Sequence, residues 1–204
     1  MKQGKIEILR FLMIIFCVTL CISDVSGQNL SSMQKSWSQD NKLSESDYFI
    51  KISDEKLDPI FSQFRIGYSA NGLDFLKRNF NKNVTNIFDC NSSWIDTTST
   101  VNISRALEYQ QLFFDLSEVH VRSFRKKLLQ EKKQLIKGLS IVEEINNEIS
   151  SSFSKERLLV AKETKHGTDK RQLKKWKDRI SNLLEELHEF RYENSKKIKL
   201  QRPQ

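Results

Sequence analysis

In the second half of the chain, apolar residues recur at intervals of three and four, the spacing of one face of an α-helix. Leu107, Leu112, Phe113, Leu116, Val119 and Phe124 mark such a face, and Leu128, Leu135, Val142 and Ile149 follow at intervals of seven. This pattern predicts one long helix over about 105–149, or two in line, capped by Ser104. Gly138 is its weak point, since glycine inside a helix costs about 1 kcal/mol relative to alanine. Ser150-Ser151-Ser152 predicts a break, Ser154 the cap of a shorter helix, and 165–169 a turn. Beyond it Leu173, Trp176, Ile180, Leu183, Leu187 and Phe190 are spaced 3, 4, 3, 4, 3, a coiled-coil seam. That seam is expected to pair with the 105–149 helix in an antiparallel hairpin, or with a second copy of the chain.

The first half is less periodic. Asp58-Pro59 has the form of a helix start, a capping residue followed by proline at the first helical position. Ile60, Phe61, Phe64, Ile66 and Tyr68 follow at roughly helical spacing, and Asn71-Gly72 ends that segment. Leu73, Phe75, Leu76, Phe80, Val84, Ile87 and Phe88 suggest a second short helix, with the phenylalanines filling its inner face. Before 58 the chain is polar and rich in Ser, Asn and Asp. It reads as a loose arm in which 48–52 alternates like a strand or an extended strap.

These elements predict an all-α protein: an elongated helical bundle or antiparallel coiled-coil hairpin with a less ordered N-terminal arm. The expected organisation is a targeting segment at 1–27, a polar arm at 28–57 and a helical domain at 58–204. Within that domain short helices occupy 58–88, a glycosylated loop 89–104 and long helices 105–200.

Composition agrees with long solvated helices. Hydrophobic residues make up 38% of the chain, and two prolines and six glycines leave little turn chemistry for a many-stranded protein. Charge then divides the chain. Residues 28–104 hold 8 basic and 9 acidic side chains, whereas 105–204 hold 23 and 15, so the surplus of +8 lies in the second half.

The N-terminus sets the address. Lys2, Lys5 and Arg10 precede a twelve-residue apolar run at 11–22, and Val25-Ser26-Gly27 supplies small residues before Gln28. These are the parts of a cleaved secretory signal. The run is shorter than the roughly 20 residues needed to cross a bilayer, so no stable membrane insertion is expected. An extracellular destination gives meaning to four N-x-S/T sequons, at Asn29, Asn83, Asn91 and Asn102. Cys17 and Cys21 fall within the signal, leaving Cys90 alone in the mature chain. An odd cysteine in an oxidising compartment points to an intermolecular disulfide or to a buried, inert thiol.

One cluster stands out as candidate chemistry. Lys170, Arg171, Lys174, Lys175 and Lys177 open the last helix, and at 100° per residue they form a positive arc beside its apolar stripe. Leu173-Lys174-Lys175-Trp176-Lys177-Asp178 fits the x-B-B-x-B-x pattern (B basic) associated with heparin-type ligands. A row of cations follows a sulfated line charge by releasing its counterions. Arg122, Arg125, Lys126, Lys127, Lys132 and Lys133 extend the patch if the helices lie side by side. The secretory address makes nucleic acid an unexpected partner.

For catalysis, His120, His166 and His188 lie far apart in sequence, and the chain has no Gly-rich phosphate loop, G-x-S-x-G elbow or paired-cysteine metal motif. No enzyme activity, catalytic residue, metal or cofactor is expected. The chain reads as a secreted, N-glycosylated binding protein. Its expected partner is an extracellular protein or a sulfated polysaccharide, with homodimer formation through the seam. The competing reading is a helical cytokine-like ligand of a cell-surface receptor.

Overall fold

The computed structural model describes residues 33–53, 59–71, 73–99 and 102–200. The signal segment with Cys17 and Cys21, the Asn29 sequon, the cap expected at Asp58 and the break at Gly72 lie outside the described residues. The all-α expectation is overturned. The chain is mixed α/β, 52% helical and 14% strand, with two three-stranded sheets beside its helices. It is neither a coiled coil nor a helical bundle, and the four-helix form of a cytokine-like ligand is not its fold.

The two sheets are built on one bent hairpin. β3 (Ile60–Phe61) and β4 (Phe64–Tyr68) run out, and β5 (Val84–Asp89) and β6 (Trp94–Asp96) return. β4 pairs antiparallel with β5, Phe64 opposite Phe88, and β3 pairs antiparallel with β6, Ile60 opposite Ile95. Ser93 holds the bend: its hydroxyl donates to Asp89 O (2.6 Å) and accepts from Gln63 N (3.0 Å). The segment expected as a loose arm completes both sheets. β1 (Gln34–Ser36) adds antiparallel to β5, and β2 (Ile50–Ile52) adds parallel to β6. Between them Leu43 and Tyr48 are buried, and the Tyr48 hydroxyl bonds to Ser62 Oγ at 2.7 Å.

The helical reading of 58–88 fails for a specific reason. On β5, Val84, Asn86 and Phe88 point inward, a period of two with a polar residue in its middle. Asn86 is buried because its amide bonds to Phe114 O and its carbonyl accepts from Ser117 Oγ at 2.8 Å. With Asn86 discounted, Val84, Ile87 and Phe88 mimic a helical face.

Three helices cover the hairpin: α1 (Ile103–Gln130), α2 (Ser140–Glu163) and α3 (Lys170–Glu186). Asn102, not Ser104, caps α1, its Oδ1 accepting from Arg105 N at 3.0 Å. α1 packs on strands, on α2 and on α3, so between 112 and 125 only Asp115 and Ser123 escape full burial. The expected straight run through 149 is a reversal. A 3-10 turn at Lys132–Lys137 leads to Gly138, whose φ of 139° is closed to most L-residues, and α2 returns antiparallel to α1. Leu128, Leu135, Val142 and Ile149 share one core cluster, although they sit on three different elements. Ser150, Ser151 and Ser152, read as a break, lie inside α2. The seam of α3 is buried against α1: Leu173, Trp176 and Ile180 are in the main core, with Leu183 and Leu187 packed at its edge. α3 runs parallel to α1 rather than antiparallel, since Lys177 meets Glu108 and Arg122 meets Leu184.

Burying α1 on every side also buries charge. Glu118, Arg122 and Arg125 are 2%, 4% and 1% exposed. Glu118 Oε1 accepts from Arg122 Nε (3.1 Å) and Arg125 Nη1 (3.0 Å), while Oε2 accepts from Asn86. Arg125 donates further to Val84 O on β5 and Phe190 O after α3, and Arg122 donates to Leu184 O. Burial pulls the Arg125 pKa down, and the Glu118 carboxylate opposes that shift. Glu118→Gln leaves two guanidinium groups buried against a neutral amide. It is expected to cost about 3–5 kcal/mol of stability, as is Arg125→Met, both read from urea unfolding midpoints.

Candidate functional site

The five cations at the start of α3 divide by exposure. Lys170, Arg171, Lys174 and Lys175 are exposed, and among the described residues none of the four forms an ion pair. Lys177 is half-buried and is held by Glu108. The Asp169 side chain caps the helix by accepting from Gln172 N at 3.0 Å, and Leu173, Trp176 and Ile180 anchor its inner face. At 100° per residue the four free cations span about 140° of the outer surface. Asp178 is the acidic residue that follows them on the same side.

The extension proposed along α1 does not form. Arg122 and Arg125 point into the core, Lys127 pairs with Glu148, and the Lys132 ammonium donates to Lys77 O. Lys126 and Lys133 are exposed. The expected extension required these six to face outward beside α3, whereas Arg122 and Arg125 turn toward the sheet and the C-terminal segment.

The sequons differ in access. Asn91 and Asn102 are exposed, and Asn102 leaves its Nδ2 free while Oδ1 caps α1. Asn83 is buried; its Nδ2 donates to Ser69 O (2.7 Å) and Asp74 Oδ2 (2.9 Å), and a glycan there would take the place of one of these two N–H donors. Cys90 is a buried free thiol whose pKa is pushed up by burial and then by the Asp47 and Asp89 charges. An intermolecular bridge through it would require the strand ends around it to open.

A cavity that the sequence did not reveal lies beside the basic helix. It has a volume of about 570 Å3 and opens between the N-terminal half of α1, the C-terminal half of α2 and β3. Phe61, Phe113, Leu158 and Ala161 give it an apolar wall, and Arg105 and Arg157 also line it. Burial pulls the Arg157 pKa down, with Tyr109 opposing, and its guanidinium lies 5.0 Å from the Phe113 ring centroid. One end is closed by the turn that launches α3. There Lys165 and His166 adopt φ of 49° and 55°, and Gly167 a φ of 80°. Thr164 fixes this left-handed run, donating to Val160 O (2.7 Å) and accepting from Gly167 N (3.1 Å). A Cβ on Gly167 would lie 2.7 Å from the Tyr109 ring.

His120 and Glu156 form a histidine–carboxylate contact of 3.0 Å outside that cavity. Arg179 reaches the other Glu156 oxygen at 3.2 Å, so the group ties α1, α2 and α3 together. The hydrogen bond from His120 holds Glu156 below the ordinary carboxylate range, against a smaller opposing effect of burial. Among the described residues no group of three or more His, Cys, Asp or Glu side chains is placed to hold a metal, and no helix is long and apolar enough to cross a membrane.

Comparison with protein-family models, with curated proteins and with solved structures finds no match to the chain. Function is therefore read from the chemistry of these sites alone.

Two substitutions test the local geometry. Gly167→Ala forces a side chain into a left-handed position and into Tyr109, and is expected to cost more than about 1 kcal/mol in thermal or urea unfolding. Glu156→Gln should cost on the order of 1 kcal/mol at pH 7. Because Glu156 titrates lower in the folded state, its contribution is complete above the ordinary glutamate value of about 4.3. It drains as pH falls through the depressed value, so the stability curves of variant and wild type should converge in acid.

Proposed function

We propose that this is a secreted, N-glycosylated binding protein that engages sulfated polysaccharide through the outer face of α3. The observation that carries the reading is the set of four exposed cations, Lys170, Arg171, Lys174 and Lys175, none of them ion-paired among the described residues. Cations already neutralised by neighbouring carboxylates have little to offer a polyanion, whereas unpaired ones release the ligand's counterions on contact. The inner face of α3 is occupied by core packing, so its four outward cations are presented to solvent from a helix fixed in place. Exposed sequons at Asn91 and Asn102 and the signal-like N-terminus support an extracellular setting, where sulfated chains are met. The reading requires no catalytic residue and no cofactor. Neither nucleic acid nor a membrane surface is part of it.

The mature protein is expected to elute from heparin resin at higher salt than from a cation exchanger of matched charge density. Lys174→Glu with Lys175→Glu should abolish that difference and leave the circular dichroism spectrum unchanged, because neither side chain faces the core. Equal elution of the wild type from both resins overturns the proposal, as does a double variant that keeps the heparin preference.

A further inference from the structure

The cavity between α1 and α2 is the feature with the most unmatched chemistry. Gln110 lines it and is only 7% exposed, yet its side-chain carbonyl oxygen is buried without a hydrogen-bond partner. Buried acceptors are rarely left unpaired, so this oxygen, on a residue that lines the cavity, is an acceptor that a ligand's donor can satisfy. Arg105 and Arg157 line the same space, and neither has a carboxylate partner among the described residues. A guanidinium set against apolar walls binds an anion more strongly than one in water, because the competing solvent is reduced. The remaining wall is aromatic and aliphatic, from Phe61, Phe113, Leu158 and Ala161. A volume of about 570 Å3 is in the range of small-ligand sites.

We propose that this cavity binds a small organic acid with an apolar body, its acidic group held by Arg157 and Arg105 and an N–H or O–H of the ligand donated to Gln110 Oε1. Three independent features select this class. The two arginines without carboxylate partners favour an anion, the unpaired carbonyl favours a donor, and the walls favour an apolar body. A simple inorganic anion satisfies only the first, and a neutral hydrocarbon only the third. The site is distinct from the outer face of α3 and does not rest on it.

The test uses two fluorescent probes on the mature protein. 8-Anilinonaphthalene-1-sulfonate carries an acidic group, one N–H donor and an aromatic body; N-phenyl-1-naphthylamine is the same body and donor without the acid. The sulfonate probe is expected to saturate at one per chain. Arg157→Gln should weaken it at least tenfold and change the neutral probe less than twofold, whereas Leu158→Glu, at an exposed position of the apolar wall, should weaken both probes. Lys174→Glu with Lys175→Glu should leave both probes unchanged, which separates this site from the basic helix face. Absence of saturable sulfonate binding overturns the proposal. So does sulfonate binding that is unaffected by Arg157→Gln and Leu158→Glu in variants of unchanged circular dichroism, or that is lost in the α3 double variant.

Discussion

The Glu118–Arg122–Arg125 network is the constraint around which this fold is arranged. Apolar packing is non-directional and would tolerate many placements of a hairpin and two helices around α1. A buried guanidinium tolerates few, because each of its N–H groups needs an acceptor at a defined position. Arg125 takes Val84 O from the sheet, Phe190 O from the end of α3 and Glu118 from its own helix. Arg122 takes Leu184 O from α3. These bonds fix the register of strand, central helix and C-terminal segment together. The charges themselves are a weak source of net stability, since desolvation offsets most of their attraction. Their effect is to make any other arrangement expensive.

The network also has a definite place in the core. One apolar cluster gathers α1 residues up to Val119 with the β3–β6 sheet and the seam of α3; the other begins at Val121 and gathers Phe124, Val142, Ile149 and Phe190. Glu118 and the two arginines lie at the joint. Asn86 bridges from the sheet by bonding to Glu118 and Ser117, and Asn79 and Asn81 pin the C-terminal segment by donating to Asn194 O. Polar residues in the middle of apolar segments therefore connect two cores, and each one interrupts the hydrophobic pattern from which secondary structure is read.

That interruption decides how much was legible beforehand. The stripe from Leu173 to Phe190 was read as a coiled-coil seam; its first part, Leu173, Trp176 and Ile180, is the buried face of α3, but it packs against α1 rather than in a coiled coil, and Leu187 and Phe190 fall beyond the end of the helix. The turn at 165–169 was legible from Gly167. The β-hairpin was not, because Asn86 broke its alternation and its strands are short. The reversal after α1 was missed because heptad spacing ran through it: two antiparallel helices can carry apolar residues seven apart across a turn. Arg122 and Arg125 were read as surface charge, which is the ordinary fate of arginine and the wrong one here, where both turn toward backbone carbonyls of the sheet and the C-terminal segment. The exposure of Lys170, Lys174 and Lys175 was legible since they oppose an unbroken apolar stripe. The cavity left no linear signature, because its walls come from β3, α1 and α2 and meet only after the reversal at Gly138.

The kind of cation at each place follows from how strongly it is hydrated. Where positive side chains of α1 and α2 turn inward or line the cavity they are Arg122, Arg125, Arg105 and Arg157; on the free outer face of α3 they are mostly lysine. A guanidinium gives up water more readily than an ammonium and offers a planar fork that carbonyls, carboxylates and organic acids can match two bonds at a time. An ammonium keeps its hydration and acts as a point charge, which suits a ligand recognised as a line of sulfates and not as a shape. A lysine at 157 would meet an anion in the cavity through one flexible contact and lose the stacking on Phe113. The division of the two residue types between the interior and the outer surface thus matches the two proposed modes of anion recognition, one by geometry and one by charge density.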